Sequence, residues 1–101
     1  MDIQDCLAAL DSKVPLSEPV TFSLMPVVNK HGVSWFDERT QCFVITISPN
    51  PHALDLMAVA LMEEWAHCLT ECTCLDEHCD HWGAAFARCK RALTASSGSP
   101  D

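Results

Sequence analysis

The feature that most constrains the fold is an almost unbroken apolar segment from Ala53 to about Thr70. Its residues are mostly Leu, Met, Ala, Val and Trp, so a helix formed by it is apolar on nearly every side. Such a helix is normally buried at the centre of a domain. We therefore expect the other elements to pack around it. Asn50 is its predicted N-cap, and Pro51 suits the first helical position.

Patterns before this segment predict one helix and three strands. Apolar residues recur at helical spacing between Asp2 and Asp11, which predicts a short first helix. β-Branched and aromatic residues predict strands at Val20–Met25, Val33–Asp37 and Cys42–Ile47, separated by polar turns. Three strands joined by short links most simply form an antiparallel meander.

The C-terminal part predicts one more helix and a polar tail. Asp80 is a good N-cap for a helix over residues 81–95, and the Cys-rich segment 71–79 before it is expected to be a loop. Residues 96–101 are expected to be disordered. The predicted fold class is α+β, as one domain over residues 1–95. Its order is α-β-β-β-α-α, with a small three-stranded antiparallel sheet packed on the central helix.

The distribution of charge narrows the choice of partners. The formal net charge is −8, which argues against direct binding of nucleic acid, because that affinity comes from Lys and Arg neutralising phosphates. Between Arg39 and Arg88 the chain has Asp, Glu and His residues but no Lys or Arg. This combination favours a divalent metal, and a solvated acidic face is the alternative interpretation.

Cysteine usage bears on the compartment. The chain has seven Cys, an odd number, and an acidic N-terminus without the features of a secretory signal. These observations predict reduced, packed thiols in a cytoplasmic protein. No run of eighteen or more apolar residues occurs in the sequence, so no association with a membrane is expected.

Three polar residues near the end of the central helix form a candidate metal site. Glu63 and His67 are four residues apart, so on a helix their side chains share one face and can bind one ion. Glu64 lies one step round the helix, where it can act as general base on a water activated by the metal. The segment matches the His-Glu-x-x-His pattern of zinc peptidases except that Glu63 replaces the first His.

A third metal ligand must come from another part of the chain. His81 lies fourteen residues after His67, and a connection of that length can fold the final helix against the central one. His78 in the Cys-rich segment is an alternative third ligand. A carboxylate is an acceptable zinc ligand, and oxygen ligands widen the choice of metal, so zinc is expected with Mn or Fe as alternatives.

The segments "LMEEWAHCLT" and "DHWGAAFARCKRAL" together resemble the SprT-like zinc metallopeptidases. Glu64 matches the catalytic Glu of the family motif, His67 its second His, and His81 its third ligand, with one residue inserted before Gly83. The resemblance implies a minimal zincin-like domain that hydrolyses peptide bonds. It also implies a small sheet whose edge strand holds an extended peptide. We expect that strand at Val44, Ile45, Thr46 and Ile47.

The same residues allow other interpretations. Without a metal, Glu63 and Glu64 are two acids near a core, and His67 is a hydrogen-bonded boundary histidine. The domain would then be a catalytically degenerate relative that serves as an acidic protein-binding or inhibitory module. The Cys-rich segment holds a further set of soft ligands, Cys72, Cys74, His78 and Cys79. Their spacing is tighter than that of common zinc sites, which favours packing of a short loop.

Overall fold

The computed structural model describes residues 2–50, 53–70 and 79–96. Within them the chain forms three helices and three strands. In chain order these are α1 (Ile3–Lys13), β1 (Val20–Leu24), β2 (Gly32–Asp37), β3 (Cys42–Ile47), α2 (Leu54–Leu69) and α3 (Asp80–Ser96). The α+β class predicted from the sequence is confirmed. Asp80 is the first helical residue rather than the N-cap, and α3 extends to Ser96, one residue into the predicted tail. Most of the predicted Cys-rich loop and residues 97–101 lie outside the described residues.

The sheet is mixed, so the predicted antiparallel meander is wrong. The strand order is β1-β3-β2, with β3 in the centre. β1 runs parallel to β3, with Val20 opposite Phe43, and β2 runs antiparallel to β3, with Trp35 opposite Val44. The predicted edge segment Val44–Ile47 therefore lies in the central strand, and the edges of the sheet are β1 and β2.

The apolar content of β3 gives a physical reason for this order. Phe43, Ile45 and Ile47 are buried, and Ile45 and Ile47 have no exposed surface. The most apolar strand gains most from the centre of the sheet, where it is hydrogen-bonded on both sides and covered by neighbours. The link over residues 25–31 connects β1 to β2 past the end of β3. It has to cross two strand spacings, about 10 Å, which a link of that length spans easily.

Helix α2 lies at the centre of the molecule, as its composition predicts. It packs on β2 and β3 on one side and on α1 and α3 on the other. Leu61, Trp65 and Ala66 are fully buried. Because α1 and α3 also pack on each other, the domain has a sheet layer, the helix α2, and an outer pair of helices.

The start of α2 differs from the prediction. The N-cap residue is Ala53, whose side chain makes no capping hydrogen bond, so Asn50 is not the N-cap. The Asn50 N–H instead donates to the sulfur of Met57 at 3.2 Å, and the Asn50 carbonyl accepts from the N–H of Ala53 at 3.0 Å. Asn50 therefore belongs to a turn that precedes the helix.

The prediction that the cysteines are reduced and packed in the interior is confirmed for some of them. Cys6, Cys68 and Cys89 are free and buried, and Cys42 is free and half-buried. Burial raises the pKa of the Cys89 thiol to about 11, which makes it unreactive at neutral pH. Cys79, in contrast, is disulfide-bonded, so the expectation that all the thiols are reduced is wrong. No helix among the described residues has the length and apolarity needed to cross a bilayer.

The indole of Trp65 ties α1 to the central helix. Its ring is fully buried, and its Nε1–H donates to the Val14 carbonyl at the C-terminal end of α1 at 2.6 Å. Val14 is itself buried, so the carbonyl has little access to water. Loss of this donor leaves a buried acceptor without its partner.

We predict that Trp65→Phe lowers the free energy of unfolding by about 1–3 kcal/mol, the usual cost of an unsatisfied buried polar group. Urea denaturation followed by circular dichroism measures the change. The matched control is Trp82→Phe, since the Trp82 Nε1–H makes a longer bond of 3.3 Å in a half-buried position. An equal loss in the two variants would contradict the role assigned to Trp65.

Candidate functional site

A cleft of about 720 Å³ lies between β2 and α2. Three of the sequence-predicted site residues line it from α2: Glu63, Glu64 and His67. From the sheet, Ser34, Trp35 and Phe36 of β2 line it. The structure therefore brings the acidic pair and one predicted histidine against an edge strand of the sheet.

Ser34 contacts the predicted catalytic carboxylate directly. The Ser34 hydroxyl donates to Glu64 Oε1 at 2.6 Å, in a half-buried position. A hydrogen bond from a hydroxyl to a carboxylate is short and strong because the acceptor is charged. It fixes the direction in which the Glu64 side chain points, because β2 holds one of its carboxylate oxygens.

Gly32 allows β2 to approach α2 this closely. A Cβ atom at this position would lie 2.7 Å from Cδ1 of Ile47, 3.1 Å from the Thr46 carbonyl oxygen and 3.3 Å from Cγ of Glu64. A side chain here would therefore crowd β3 through Ile47 and Thr46, and it would press on the Glu64 side chain of α2. The absence of a side chain at Gly32 leaves room for the Glu64 side chain beside β2, where it bonds to Ser34.

Helix α3 closes the other side of this region with an aromatic pair. Trp82 stacks on Phe86 with ring centroids 5.2 Å apart, and the His67 ring lies 5.5 Å from that of Trp82. The Trp82 indole also donates to the Glu63 carbonyl. Trp82, rather than its neighbour His81, is thus the residue of α3 that faces the predicted metal ligands.

His81 does not join the other predicted ligands. Its side chain is exposed and does not line the cleft. Successive residues on a helix point about 100° apart, so a helix that turns Trp82 towards α2 turns His81 away from it. The alternative third ligand, His78, lies outside the described residues.

The donor set supports only part of a metal site. In the part of the chain that the structure describes, no three His, Cys, Asp or Glu side chains come together as a metal-binding group. No buried side-chain nitrogen or oxygen there is orphaned either, so no polar atom in the core demands a metal. Glu63 and His67 do lie one helical turn apart and line one cleft, which suits two ligands of a zinc ion.

Sequence reasoning missed the roles of Ser34 and Trp82. The alternation of β2 places Ser34 and Phe36 on one face, but the sequence does not show which face meets α2. Apolar residues of α3 recur at helical spacing at Trp82, Phe86, Cys89 and Leu93, and this stripe is the sequence signal that Trp82 packs inwards. Because His81 is next to Trp82 and outside this stripe, the same pattern indicates that His81 points outwards.

Comparisons with known proteins leave the family open. No protein-family model, no curated protein and no solved structure matches the chain.

We predict that Gly32→Ala lowers the free energy of unfolding by about 1–3 kcal/mol, the usual cost of overpacking. The Thr46 carbonyl is backbone of the central strand and cannot move aside easily, so the added methyl group strains the packing of β2 on β3 and crowds Ile47 and Glu64. Denaturant unfolding measures the loss.

The matched control is Gly83→Ala on α3, where an added Cβ would meet no atom within 4 Å. Alanine is a better helix former than glycine, so this variant should gain about 0.5–1 kcal/mol. Two changes of the same sign and size would contradict the close approach described at Gly32.

Proposed function

We propose that this chain is a metal-dependent peptidase domain of the SprT-like type that holds an extended peptide between β2 and α2. One observation carries the proposal: a single cleft joins an edge strand of the sheet to Glu63, Glu64 and His67. An edge strand can bind a peptide backbone, and the three side chains supply two metal ligands and a general base for its hydrolysis.

The peptide adds to the sheet as a further strand beside β2. An edge strand presents backbone N–H and C=O groups that pair with an extended chain, whatever its sequence. Ser34 and Phe36 of β2 line the cleft, so the bound backbone passes over Glu64. The assignment of substrate binding moves from Val44–Ile47, which the sequence suggested, to Gly32–Asp37.

Glu63 and His67 are the residues that would hold the metal. Zinc fits a carboxylate and an imidazole, and Mn or Fe are alternatives for the oxygen ligand. The third ligand is His78 or, after a rearrangement of the start of α3, His81. When bound, the ion would supply Lewis acidity towards a peptide carbonyl and would lower the pKa of water.

Glu64 acts as the general base. Its carboxylate takes a proton from the attacking water and later passes it to the amine that leaves. The Ser34 hydroxyl holds Oε1, so the free oxygen keeps one position relative to a peptide on β2. Preorganisation of this kind avoids a reorientation cost during the reaction.

A second function is favoured by the position of His81. Because this residue is exposed and outside the cleft, the described residues supply two ligands and not three. A domain that keeps the cleft but binds no metal would capture extended segments of other proteins without cutting them. The acidic pair would then favour basic partners, in keeping with the net charge of −8.

Metal content decides between the two functions. We expect protein purified without a metal-affinity column to contain close to one equivalent of zinc, manganese or iron by elemental analysis. Glu63→Ala and His67→Ala should each remove most of it. His81→Ala should remove it only if this residue is the third ligand. Wild-type protein that contains no metal and takes up none when zinc is added would favour the binding module.

We predict that Glu64→Gln reduces cleavage of an unstructured protein such as casein at least about 100-fold, as expected for loss of a general base. Metal content and peptide affinity should stay the same, because Gln keeps the shape of the side chain. Ser34→Ala should give a smaller loss, mainly in kcat, since Glu64 stays in place but is less well oriented. Undiminished cleavage by the Glu64→Gln protein would exclude this residue as the base.

A further inference from the structure

Charge is distributed unevenly along the cleft. The chain has six Lys and Arg residues in total, and Lys30 is the one that lines the cleft. It lies with His31 in the turn immediately before β2, and Glu63 and Glu64 line the cleft from α2. The cleft therefore has an ammonium at the end where β2 begins, within a chain whose net charge is −8.

The turn that carries Lys30 is held in place by Ser48. The Ser48 hydroxyl accepts from the Val27 N–H at 2.8 Å and donates to the Lys30 carbonyl at 3.1 Å. The Ser48 N–H donates to the His31 carbonyl at 2.8 Å. These bonds fasten residues 27–31 to the end of β3, so the two side chains project from a fixed backbone.

The Lys30 ammonium is available to a ligand. It forms no ion pair with Glu63, Glu64 or any other residue that the structure describes, and its side chain is exposed. An ammonium at the end of a binding cleft attracts a carboxylate and repels an amine. The charge therefore distinguishes the two directions in which a peptide can lie along β2.

We propose that Lys30 and His31 form a carboxylate-binding subsite, which selects peptides with an acidic group on the C-terminal side of the residue opposite Ser34. This inference rests on the proposed binding of a peptide along β2. A peptide antiparallel to β2 carries its C-terminal part towards residues 30–32, and a parallel one carries its N-terminal part there. Lys30 favours the antiparallel direction, which is also the commoner strand pairing.

The register of the sheet gives the position of the acidic group. In an antiparallel pair, each step back along β2 corresponds to one step forward along the peptide. The peptide residue opposite Gly32 is two positions beyond the one opposite Ser34, and His31 and Lys30 lie in the turn just before Gly32. The selected carboxylate therefore belongs to Asp or Glu about three or four positions beyond the residue opposite Ser34, or to the C-terminus of a peptide that ends there.

Binding of end-blocked ten-residue peptides to Glu64→Gln protein tests the subsite. The peptides are neutral, rich in Thr and Val, and carry a single Glu at each position in turn, with Gln at the same position as reference. We expect Glu to lower Kd about two- to five-fold, the size of an exposed ion pair, and only in the C-terminal half of the peptide. The preference should weaken as the salt concentration rises. A parallel series with a free C-terminus separates a terminal carboxylate from an acidic side chain.

The second variant is Lys30→Gln in the same background, which should abolish the preference while the reference peptides bind as before. Its matched control is Arg39→Gln. This removes the same charge from the turn after β2, at the opposite end of the strand, and should leave the preference intact.

A preference for Glu in the N-terminal half, or one that survives Lys30→Gln, overturns the subsite. Peptides that bind with no preference overturn the subsite alone and leave the proposed function standing. Failure of every peptide to bind overturns both.

Discussion

The candidate site depends on the close packing at Gly32, where β2 meets the Ile47 side chain of β3 and the Glu64 side chain of α2. Because this position has no side chain, the edge strand packs closely on the central helix, and Ser34 reaches the Glu64 carboxylate. The same approach forms the cleft in which Glu63, Glu64 and His67 face a strand that can pair with a peptide. The proposed peptidase activity depends on this arrangement, because Ser34 holds the carboxylate that would serve as the base.

The second half of the central helix combines a buried apolar face with three polar residues at the cleft. Trp65 and Leu61 are fully buried in the core, while Glu63, Glu64 and His67 are half-buried and open to the cleft. Ionisable groups in that position keep contact with water, so they avoid the full cost of burying a charge. A helix that is apolar elsewhere thus presents a short acidic and imidazole surface in a defined place. At the far side Trp82 covers His67, and at the near end Lys30 supplies the opposite charge.

Local patterns allowed much of this to be predicted, and long-range packing accounts for the rest. The strands begin and end within one residue of their predicted bounds, because alternation and β-branching act locally. The meander was wrong because strand order depends on which strand the helices bury most, and that strand is β3 with Ile45 and Ile47. Asn50 was misassigned because its N–H bonds to Met57 across a turn. His81 was expected in the site from a motif, although the apolar stripe beginning at Trp82 had already fixed the orientation of α3.

The measurement that tests the central claim most directly is amide hydrogen exchange, with and without a saturating extended peptide. The account predicts that the peptide slows exchange in Gly32–Asp37, because its backbone bonds to the outer edge of β2. β1, at Val20–Leu24, is an edge strand of the same sheet away from the cleft and should exchange at an unchanged rate. Protection of β1 instead of β2, or of neither strand by a peptide that binds, would contradict the assignment of the cleft as the peptide site.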